Sequence, residues 1–393
     1  MTATDEAVAR ARMLLEHARA HQDEMVDYLV ALARIESPTD VPGSQAPVQA
    51  LLADSLRSLG FTVRYVPGHR CDDHLWAVPA GRTHGAPAQL LMGHTDTVWP
   101  LGTLETMPVV VEGDRIRGPG TFDMKAGLTQ MVFALKALSD LGLRAPATPV
   151  LLINSDEETG SSDSKRWVSM AARRVCRAFV PEPALGEVGR LKTARRGVAQ
   201  YTVTVHGKAA HSGLDPLGGA SAIQELAHLI QEIHALSDHD GGVALNVGVI
   251  SGGSRANVIA ARAEAEVDVR MLRISDWEEV DAALRAIEPV TPGTRVEIEG
   301  GLLAPPMEKT PRNRRLWASA QAAAERLGIP LDEETSGGGS DGNTTSQYTA
   351  TLDGLGAVGD GAHAHHEHLS VRYLVERTAL LAELLMSPVE DPS

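Results

Sequence analysis

Helical and strand patterns alternate along the first half of the chain. Apolar residues at helical spacing predict helices over residues 13–33, 47–60, 127–141 and 162–174. Continuous apolar runs predict strands over residues 61–65, 75–78, 89–93, 149–154 and 175–180. Strands without polar alternation, separated by helices, are typical of a mainly parallel sheet that helices cover on both faces. We therefore expect an α/β domain.

The pattern changes near residue 195. Residues 198–206 (VAQYTVTVH) alternate with a period of two, as a half-exposed strand does. The next predicted elements are a helix, two strands, a helix and a strand, over residues 220–233, 243–250, 263–271, 277–286 and 294–299. This β-α-β-β-α-β order predicts a small α+β domain, an antiparallel sheet with two helices on one face.

The α/β pattern returns after Pro305 and Pro306. Helices are predicted over residues 313–327 and 371–385, with a glycine-rich loop between them. The simplest organisation is one α/β domain formed by residues 1–194 and 304–393, interrupted by an inserted domain at residues 195–303.

Charge and composition argue against some classes of binding partner for this protein. Thirty-six basic and fifty-one acidic residues give a net charge of −15, which repels phosphate backbones and anionic lipids, so we expect neither nucleic acid nor membrane as a partner. No apolar run approaches the roughly 20 residues of a membrane span. The N-terminal segment lacks the apolar core of a signal peptide, and the two cysteines suit a reducing compartment. We therefore expect a cytoplasmic protein.

Candidate ligands and bases lie beyond the predicted strands. His94 and Asp96 follow one strand, and residues i and i+2 of an extended chain point the same way, so the carboxylate can orient the imidazole. Three acids, Asp156, Glu157 and Glu158, follow the apolar strand VLLIN, where they repel one another unless a cation or proton lies among them. Considered alone, His94 and Asp96 are explained more simply by a polar turn at a strand end, and the three acids fit a solvated turn as well as a functional site.

Three further segments carry similar residue types. Glu182 follows a strand between two prolines, and Asp123 lies among glycines directly before a helix, where it is predicted to be the N-cap. His363, His365 and His366 belong to a histidine-rich loop before the last helix. Together these segments supply two kinds of ligand at one edge of the same sheet. Histidines with bridging and terminal carboxylates suit two divalent ions, zinc in particular.

In these motifs the sequence resembles the dinuclear zinc peptidases and amidohydrolases. That family includes glutamate carboxypeptidase, succinyl-diaminopimelate desuccinylase, acetylornithine deacetylase and the aminoacylases, and the resemblance runs from about residue 25 to 385. It implies two divalent ions per chain, zinc or in its place cobalt or manganese. The implied metal ligands are His94, Asp123, Glu158, Glu182 and His363, with Asp123 bridging both ions.

The same resemblance assigns the catalytic residues. It implies that Asp96 orients His94 and that Glu157 is the general base. His363 is chosen over His365 and His366 because family members have a glutamate four residues after this ligand, where Glu367 stands here.

The inserted domain and the glycine-rich loop carry further matches. The resemblance implies that His211 donates to the substrate carbonyl, that Asn257 and Arg270 bind a substrate carboxylate, and that the loop with Gly338, Gly339 and Ser340 lines the same pocket. From the residues alone, the favoured explanations are an interface histidine for His211, a surface salt bridge for Arg270 and a flexible linker for the glycines. Glutamate carboxypeptidase, the family member that cleaves folates, carries an arginine in the last strand of this domain. Residues 299–303 lack an arginine at the matching place, so recognition of a glutamate side chain is not predicted.

The expected activity is hydrolysis of an amide or peptide bond next to a free carboxylate, in a short peptide or a small N-acylated amino acid. The alternatives are an N-acyl-amino-acid deacylase and a catalytically silent metal-binding protein of the same fold. The resemblance also implies a homodimer that pairs through the inserted domain, which serves as lid and dimerisation domain. A second cluster of ligand-type residues, residues 69–74 (HRCDDH), has no counterpart in the family and is predicted to be a surface turn.

Overall fold

The computed structural model describes residues 3–83 and 85–389. Ten α-helices form in this part of the chain: α1 Ala3–Ala20, α2 Gln22–Ala33, α3 Ala46–Ser58, α4 Ala126–Asp140, α5 Lys165–Ala172, α6 Ala222–Ala235, α7 Ile274–Arg285, α8 Pro311–Leu327, α9 Asp341–Thr345 and α10 Val371–Leu385. The strands are β1 Phe61–Val66, β2 His74–Pro79, β3 Ala88–His94, β4 Val110–Glu112, β5 Arg115–Arg117, β6 Thr148–Asn154, β7 Arg177–Val180, β8 Leu191–Arg195, β9 Gly197–His206, β10 Ala244–Gly252, β11 Arg262–Met271, β12 Arg295–Ala304, β13 Glu333–Ser336, β14 Ala350–Asp353, β15 Gly359–Asp360 and β16 His368–Ser370.

The chain divides into two compact units. The larger unit comprises the described residues of Met1–Thr193, Lys309–Ser336 and Ser340–Ser393. The smaller unit comprises Ala194–Glu308 and Gly337–Gly339. None of the helices in the described residues has both the length and the apolar character needed to cross a bilayer.

An eight-stranded sheet organises the larger unit, with the strand order β1-β2-β6-β3-β7-β14-β8-β13. The four central strands β6, β3, β7 and β14 are parallel to one another. Strands β1 and β2 on one side, and β8 on the other, pair antiparallel. The predicted α/β class with a mainly parallel sheet is confirmed.

Alternate residues of the central strands face different helical layers. Leu91 and Leu151 pack against the larger core, which includes apolar residues of α1, α2, α3, α4, α8 and α10. Their neighbours Leu90 and Leu152 pack against α5 instead. Because both faces are covered, these strands read as continuous apolar runs in the sequence.

A second, smaller sheet in the larger unit has the order β15-β16-β5-β4 and is antiparallel throughout. Its strands contain only two or three residues each, too few to show a period, and the sequence analysis did not predict them. The pairing of His368 with Arg117 joins two chain segments that lie far apart in sequence.

The smaller unit has the predicted β-α-β-β-α-β order, formed by β9, α6, β10, β11, α7 and β12. Its sheet is antiparallel with the order β10-β11-β9-β12. Alternate residues of β9 and β11, such as Val203 and Val267, share one core with Leu229 of α6 and Leu284 of α7. Both helices therefore pack on one face of the sheet, and the predicted architecture is confirmed.

One prediction about the helices is wrong. The pattern over residues 13–33 predicted a single helix, whereas α1 ends at Ala20 and α2 begins at Gln22. At the break, Nδ1 of His21 lies 2.8 Å from the His17 carbonyl oxygen, and the two imidazole rings stack with centroids 4.0 Å apart. Apolar spacing continues across the break, so the sequence pattern does not reveal it.

Candidate metal centre

Three neighbouring parallel strands deliver the first group of polar residues. His94 is the last residue of β3, Glu157 and Glu158 follow β6, and Glu182 follows β7. Because β6, β3 and β7 are adjacent and parallel, their carboxyl ends meet at one edge of the sheet. A close approach between Gly127 of α4 and Pro181 helps bring Glu182 to this edge, since a Cβ atom at Gly127 would lie 2.0 Å from the Pro181 carbonyl oxygen.

The small sheet delivers Asp123 and His363, so the expectation that all the ligand-type residues lie at the edge of one sheet is wrong for these two. Asp123 follows β5, and His363 lies between β15 and β16, so the pairing of β5 with β16 brings the two loops together. Asp123 has an extended backbone and its peptide bond to Met124 is cis. The predicted N-cap role of Asp123 is wrong, because α4 begins at Ala126 with Lys125 at the N-cap.

Glu367 holds the Asp123 loop in place. Its buried carboxylate accepts hydrogen bonds from the backbone N–H groups of Gly120, Phe122 and Asp123 at 2.9, 2.9 and 3.1 Å. The indole N–H of Trp99 donates to the same carboxylate at 2.8 Å. Sequence reasoning used Glu367 only as a spacing marker for His363, and these four bonds assign it a positioning role that the spacing did not reveal.

The ligand-type atoms form two groups that share one carboxylate. Nε2 of His94 lies 3.4 Å from Oε1 of Glu182 and 3.5 Å from Oδ1 of Asp123. Nε2 of His363 lies 3.4 Å from Oδ2 of Asp123 and 3.0 Å from Oε2 of Glu158. The two oxygens of Asp123 thus face different histidines, as a bridging ligand requires.

The donor set fits two divalent ions. Zinc ligands at about 2.0–2.1 Å in a tetrahedral arrangement lie about 3.4 Å from one another, close to the separations found here. Nε2 of His94 and Oε1 of Glu158 are buried and have no hydrogen-bond partner in the described residues. Buried polar atoms without partners are costly, and a bound cation satisfies both. Imidazole and carboxylate together are typical ligands of zinc.

Asp96 orients both His94 and the neighbouring glutamates. Nδ1 of His94 donates to the Asp96 carbonyl oxygen at 2.9 Å and lies 3.3 Å from the carboxylate, which leaves Nε2 free to bind a metal. The same carboxylate accepts the backbone N–H of Glu157 at 3.3 Å, the N–H of Glu158 at 3.0 Å and the Thr39 hydroxyl at 2.8 Å. Asp96 therefore orients His94 mainly through its carbonyl oxygen, and its carboxylate holds the segment that carries the predicted base.

The crowded carboxylates shift the pKa of the neighbouring groups. Burial, followed by the charge of Glu182, raises the pKa of Glu157 well above its usual range. Burial and the charge of Asp123 raise the pKa of Glu158 to about 7. Hydrogen bonds to Asp123 and Glu158 raise the pKa of His363 to about 10. A divalent cation relieves the same repulsion between the acids.

The structure distinguishes among the three histidines of the loop. His363, with a left-handed backbone (φ 61°), lies against Asp123 and Glu158. His365 instead lies beside Trp99, with ring centroids 5.4 Å apart, and Nε2 of His366 lies 3.7 Å from Asp360. A non-glycine residue in this backbone region is uncommon and often marks a functional position.

The smaller unit contains His211 and Asn257 side by side. His211 forms a bridge with Val258, and Ser212 N–H donates to the Asn257 carbonyl oxygen at 3.1 Å. Nδ1 of the exposed His211 accepts the backbone N–H groups of Gly213 and Leu214 at 3.1 and 3.2 Å. Since Nδ1 is an acceptor in the neutral ring, Nε2 carries the proton and is a hydrogen-bond donor.

Arg270 and the glycine-rich loop are already engaged by protein groups. Arg270 on β11 makes two hydrogen bonds to the Asp268 carboxylate, at 2.8 and 3.1 Å. The carbonyl oxygens of Gly338 and Gly339 accept from the buried Arg195 at 3.1 and 2.9 Å. Arg195 was not singled out by sequence reasoning, and no local motif marks it.

The Ser340 hydroxyl caps α9. It donates to Asp353 at 2.6 Å and accepts the Gly342 N–H at 2.9 Å, while the Ser340 N–H donates to Asn343. These groups are therefore used within the protein.

The second histidine-rich segment is only partly a surface turn. His69 and Arg70 are exposed, but His74 begins β2 and is fully buried, where Nδ1 lies 3.0 Å from the Ser155 hydroxyl. Asp163 accepts the backbone N–H of Arg70 at 2.9 Å and lies 3.4 Å from Sγ of Cys71. The surface-turn prediction is wrong for His74, because the strand begins one residue earlier than its apolar run.

Comparison with known proteins identifies the class of this molecule. The model of peptidase family M20/M25/M40 matches residues 90–387, and the chain belongs to that family. Membership indicates a metallo-hydrolase and divalent metal cofactors, usually zinc. This argues against the catalytically silent protein that the sequence left open.

Individual relatives extend the likeness over nearly the whole chain. Carboxypeptidase G2 of Pseudomonas sp. (strain RS-16) is 29% identical over 394 residues, which cover 97% of this chain and 93% of the relative. Aminopeptidase PepT from Bacillus cereus ATCC 10987 superposes with a TM-score of 0.79 at 22% identity, covering 93% of this chain and 98% of that one. The M20 family metallo-carboxypeptidase Sso-CP2 from Sulfolobus solfataricus superposes with a TM-score of 0.65 at 16% identity, covering 92% and 98%. Because the two solved structures are only 22% and 16% identical to this chain, their likeness shows that the fold is shared and nothing beyond the fold.

Proposed function

We propose that this metallo-hydrolase is a carboxypeptidase that removes an amino acid from a short peptide or a small N-acylated amino acid. Its substrate would carry a free carboxylate next to the scissile amide. The observation that supports the proposal most directly is the pair of histidine–carboxylate groups bridged by Asp123. The whole-length likeness to a carboxypeptidase favours this substrate class.

In the proposed mechanism, each residue has one task. Two ions would be held by His94, Asp123, Glu158, Glu182 and His363. Such ions supply Lewis-acid activation of water and of a carbonyl oxygen. Glu157, beside His94 and Glu182, takes a proton from water and passes it to the leaving amine. His211, protonated at Nε2, donates to the oxyanion that forms at the carbonyl.

A substrate panel tests this proposal. Protein stripped with a chelator should be inactive, and zinc, cobalt or manganese should restore hydrolysis of dipeptides, with the released amino acid identified by mass spectrometry. At least two ions should bind per active chain, because the cluster supplies too many ligands for one. Full activity with a single bound ion would contradict the dinuclear site. Cleavage of N-acyl amino acids but not of dipeptides would instead support the N-acyl-amino-acid deacylase.

Arg270 is expected to set the requirement for a free carboxylate. An amide-capped substrate cannot form a charge-assisted bond with the guanidinium, so the wild type should hydrolyse it at least about tenfold less efficiently than the free acid. Arg270→Ala should remove this preference by lowering kcat/KM for the free acid alone. Arg262→Ala, on the same strand and paired with Glu264, is the matched control and should retain the preference. Equal cleavage of capped and free substrates by the wild type would exclude this role.

A further inference from the structure

One end of the large sheet is incompletely covered. On the face opposite the larger helical core, Val150 and Leu152 of β6 lie against α5 through Val168 and Ala171. This helix has 8 residues, so at about 1.5 Å per residue it is about 12 Å long. It is too short to extend over the β1–β2 end of the sheet. A cavity of about 330 Å³ opens there, within the larger unit.

The walls of this cavity are apolar and aromatic. Val150 and Leu152 form its sheet side, and Trp76 of β2 adds an aromatic ring. Trp167 and Met170 of α5 contribute the opposite side. A cavity of this volume lies within the usual range of small-molecule sites, which are mostly apolar with a few polar groups that fix the ligand.

The charged residues that line the cavity all have one sign. They are Arg64, Arg82 and Arg174, and no acidic residue lines the cavity in the described part of the chain. Within the described residues, none of the three makes an ion pair or a side-chain hydrogen bond. The whole chain has a net charge of −15, so a cavity lined by three unpaired arginines and no acid is an exception within this acidic protein.

We propose that this cavity binds a small carboxylate with an apolar body of roughly eight to ten carbon atoms. An apolar cavity of about 150 Å³ can hold benzene, so about 330 Å³ accommodates a longer acyl chain or a second ring. Guanidinium groups bind carboxylates through paired charge-assisted hydrogen bonds. The site is separate from the metal centre and does not depend on the proposed peptidase activity.

Calorimetric titration of the zinc-loaded protein with octanoate tests this site. We expect one binding site at millimolar or lower octanoate, and octanamide, its neutral isostere, should bind at least about tenfold more weakly. The triple variant Arg64→Gln, Arg82→Gln, Arg174→Gln should weaken octanoate binding at least about tenfold, since each exposed charge pair contributes a modest factor. Arg173→Gln is the matched control, because Arg173 precedes Arg174 but stacks on Tyr348 at 3.9 Å and does not line the cavity.

A space-filling variant provides the second measurement. Met170 is half-buried in the cavity wall, so Met170→Trp should abolish octanoate binding while the melting temperature and peptide hydrolysis stay near wild-type values. Absence of binding at millimolar octanoate would overturn the proposal. Equal affinity in all variants would also overturn it, and so would binding that disappears on metal chelation, because the ligand would then occupy the metal centre.

Discussion

Replacing Glu157 with glutamine is expected to lower kcat by at least about 100-fold, the usual contribution of a positioned general base. An amide cannot accept the proton of the attacking water, so the chemical step should fail while the metal ligands stay in place. Nε2 of His363 contacts Oε2 of Glu158 at 3.0 Å, and His94 keeps its contacts with Glu182 and Asp123. Metal content measured by mass spectrometry should therefore equal that of the wild type.

The adjacent glutamate supplies the matched control. Glu158→Gln makes the same chemical change one residue away, but removes a carboxylate that faces His363. We expect this variant to lose at least one ion per chain, because an amide oxygen is a weaker ligand for zinc than a carboxylate. Equal metal loss in both variants would mean that the roles of the two glutamates are misassigned.

His211→Ala is expected to leave the enzyme nearly inactive, because it removes the exposed N–H that is proposed to stabilise the oxyanion. Loss of one such donor typically lowers kcat by about 100- to 1000-fold. The decrease should be found in kcat, with metal content unchanged. A decrease confined to KM would assign His211 to substrate binding alone.

The same variant tests the predicted homodimer. The smaller unit offers a surface for pairing, because β10 is an edge strand of its sheet and exposes Val249 and Ile250. We propose that His211 acts on the active site of the partner chain, as the family resemblance implies. His211→Ala and Glu157→Ala dimers, dissociated and reassociated in equal amounts, should give roughly half mixed dimers. One of the two sites in each mixed dimer regains both residues, so about a quarter of wild-type activity should return.

Controls make this result decisive. Subunit exchange is verified with differently tagged chains, and each variant alone is carried through the same procedure. If His211 acts within its own chain, every site lacks one residue and no activity returns despite complete exchange. That outcome would exclude the arrangement in trans.

Some parts of the metal centre follow from local sequence. The strands that lead to His94, Glu157 and Glu182 contain continuous apolar runs, because both faces of the central sheet are covered. Such runs are recognisable without a structure, and parallel neighbours place whatever follows them at one edge. The sequence therefore predicts that the residues at these strand ends lie close to one another. The family resemblance then assigned a separate role to each of them.

The family resemblance also implied Asp123 and His363 as ligands, but the strand pairing that brings them together is visible only in the tertiary structure. Strands β5, β15 and β16 have two or three residues, too short for any period, yet their pairing brings Asp123 and His363 together. Glu367 bonds to backbone N–H groups up to 247 residues away, and such contacts leave no local pattern. The arginine-lined cavity likewise exists because α5 is too short to cover the β1–β2 end of the large sheet. The spacing of apolar residues along a segment shows which of its faces is buried, and it therefore determines where the helices and strands lie. Contacts between distant segments depend on how those elements pack, and only the folded chain decides them.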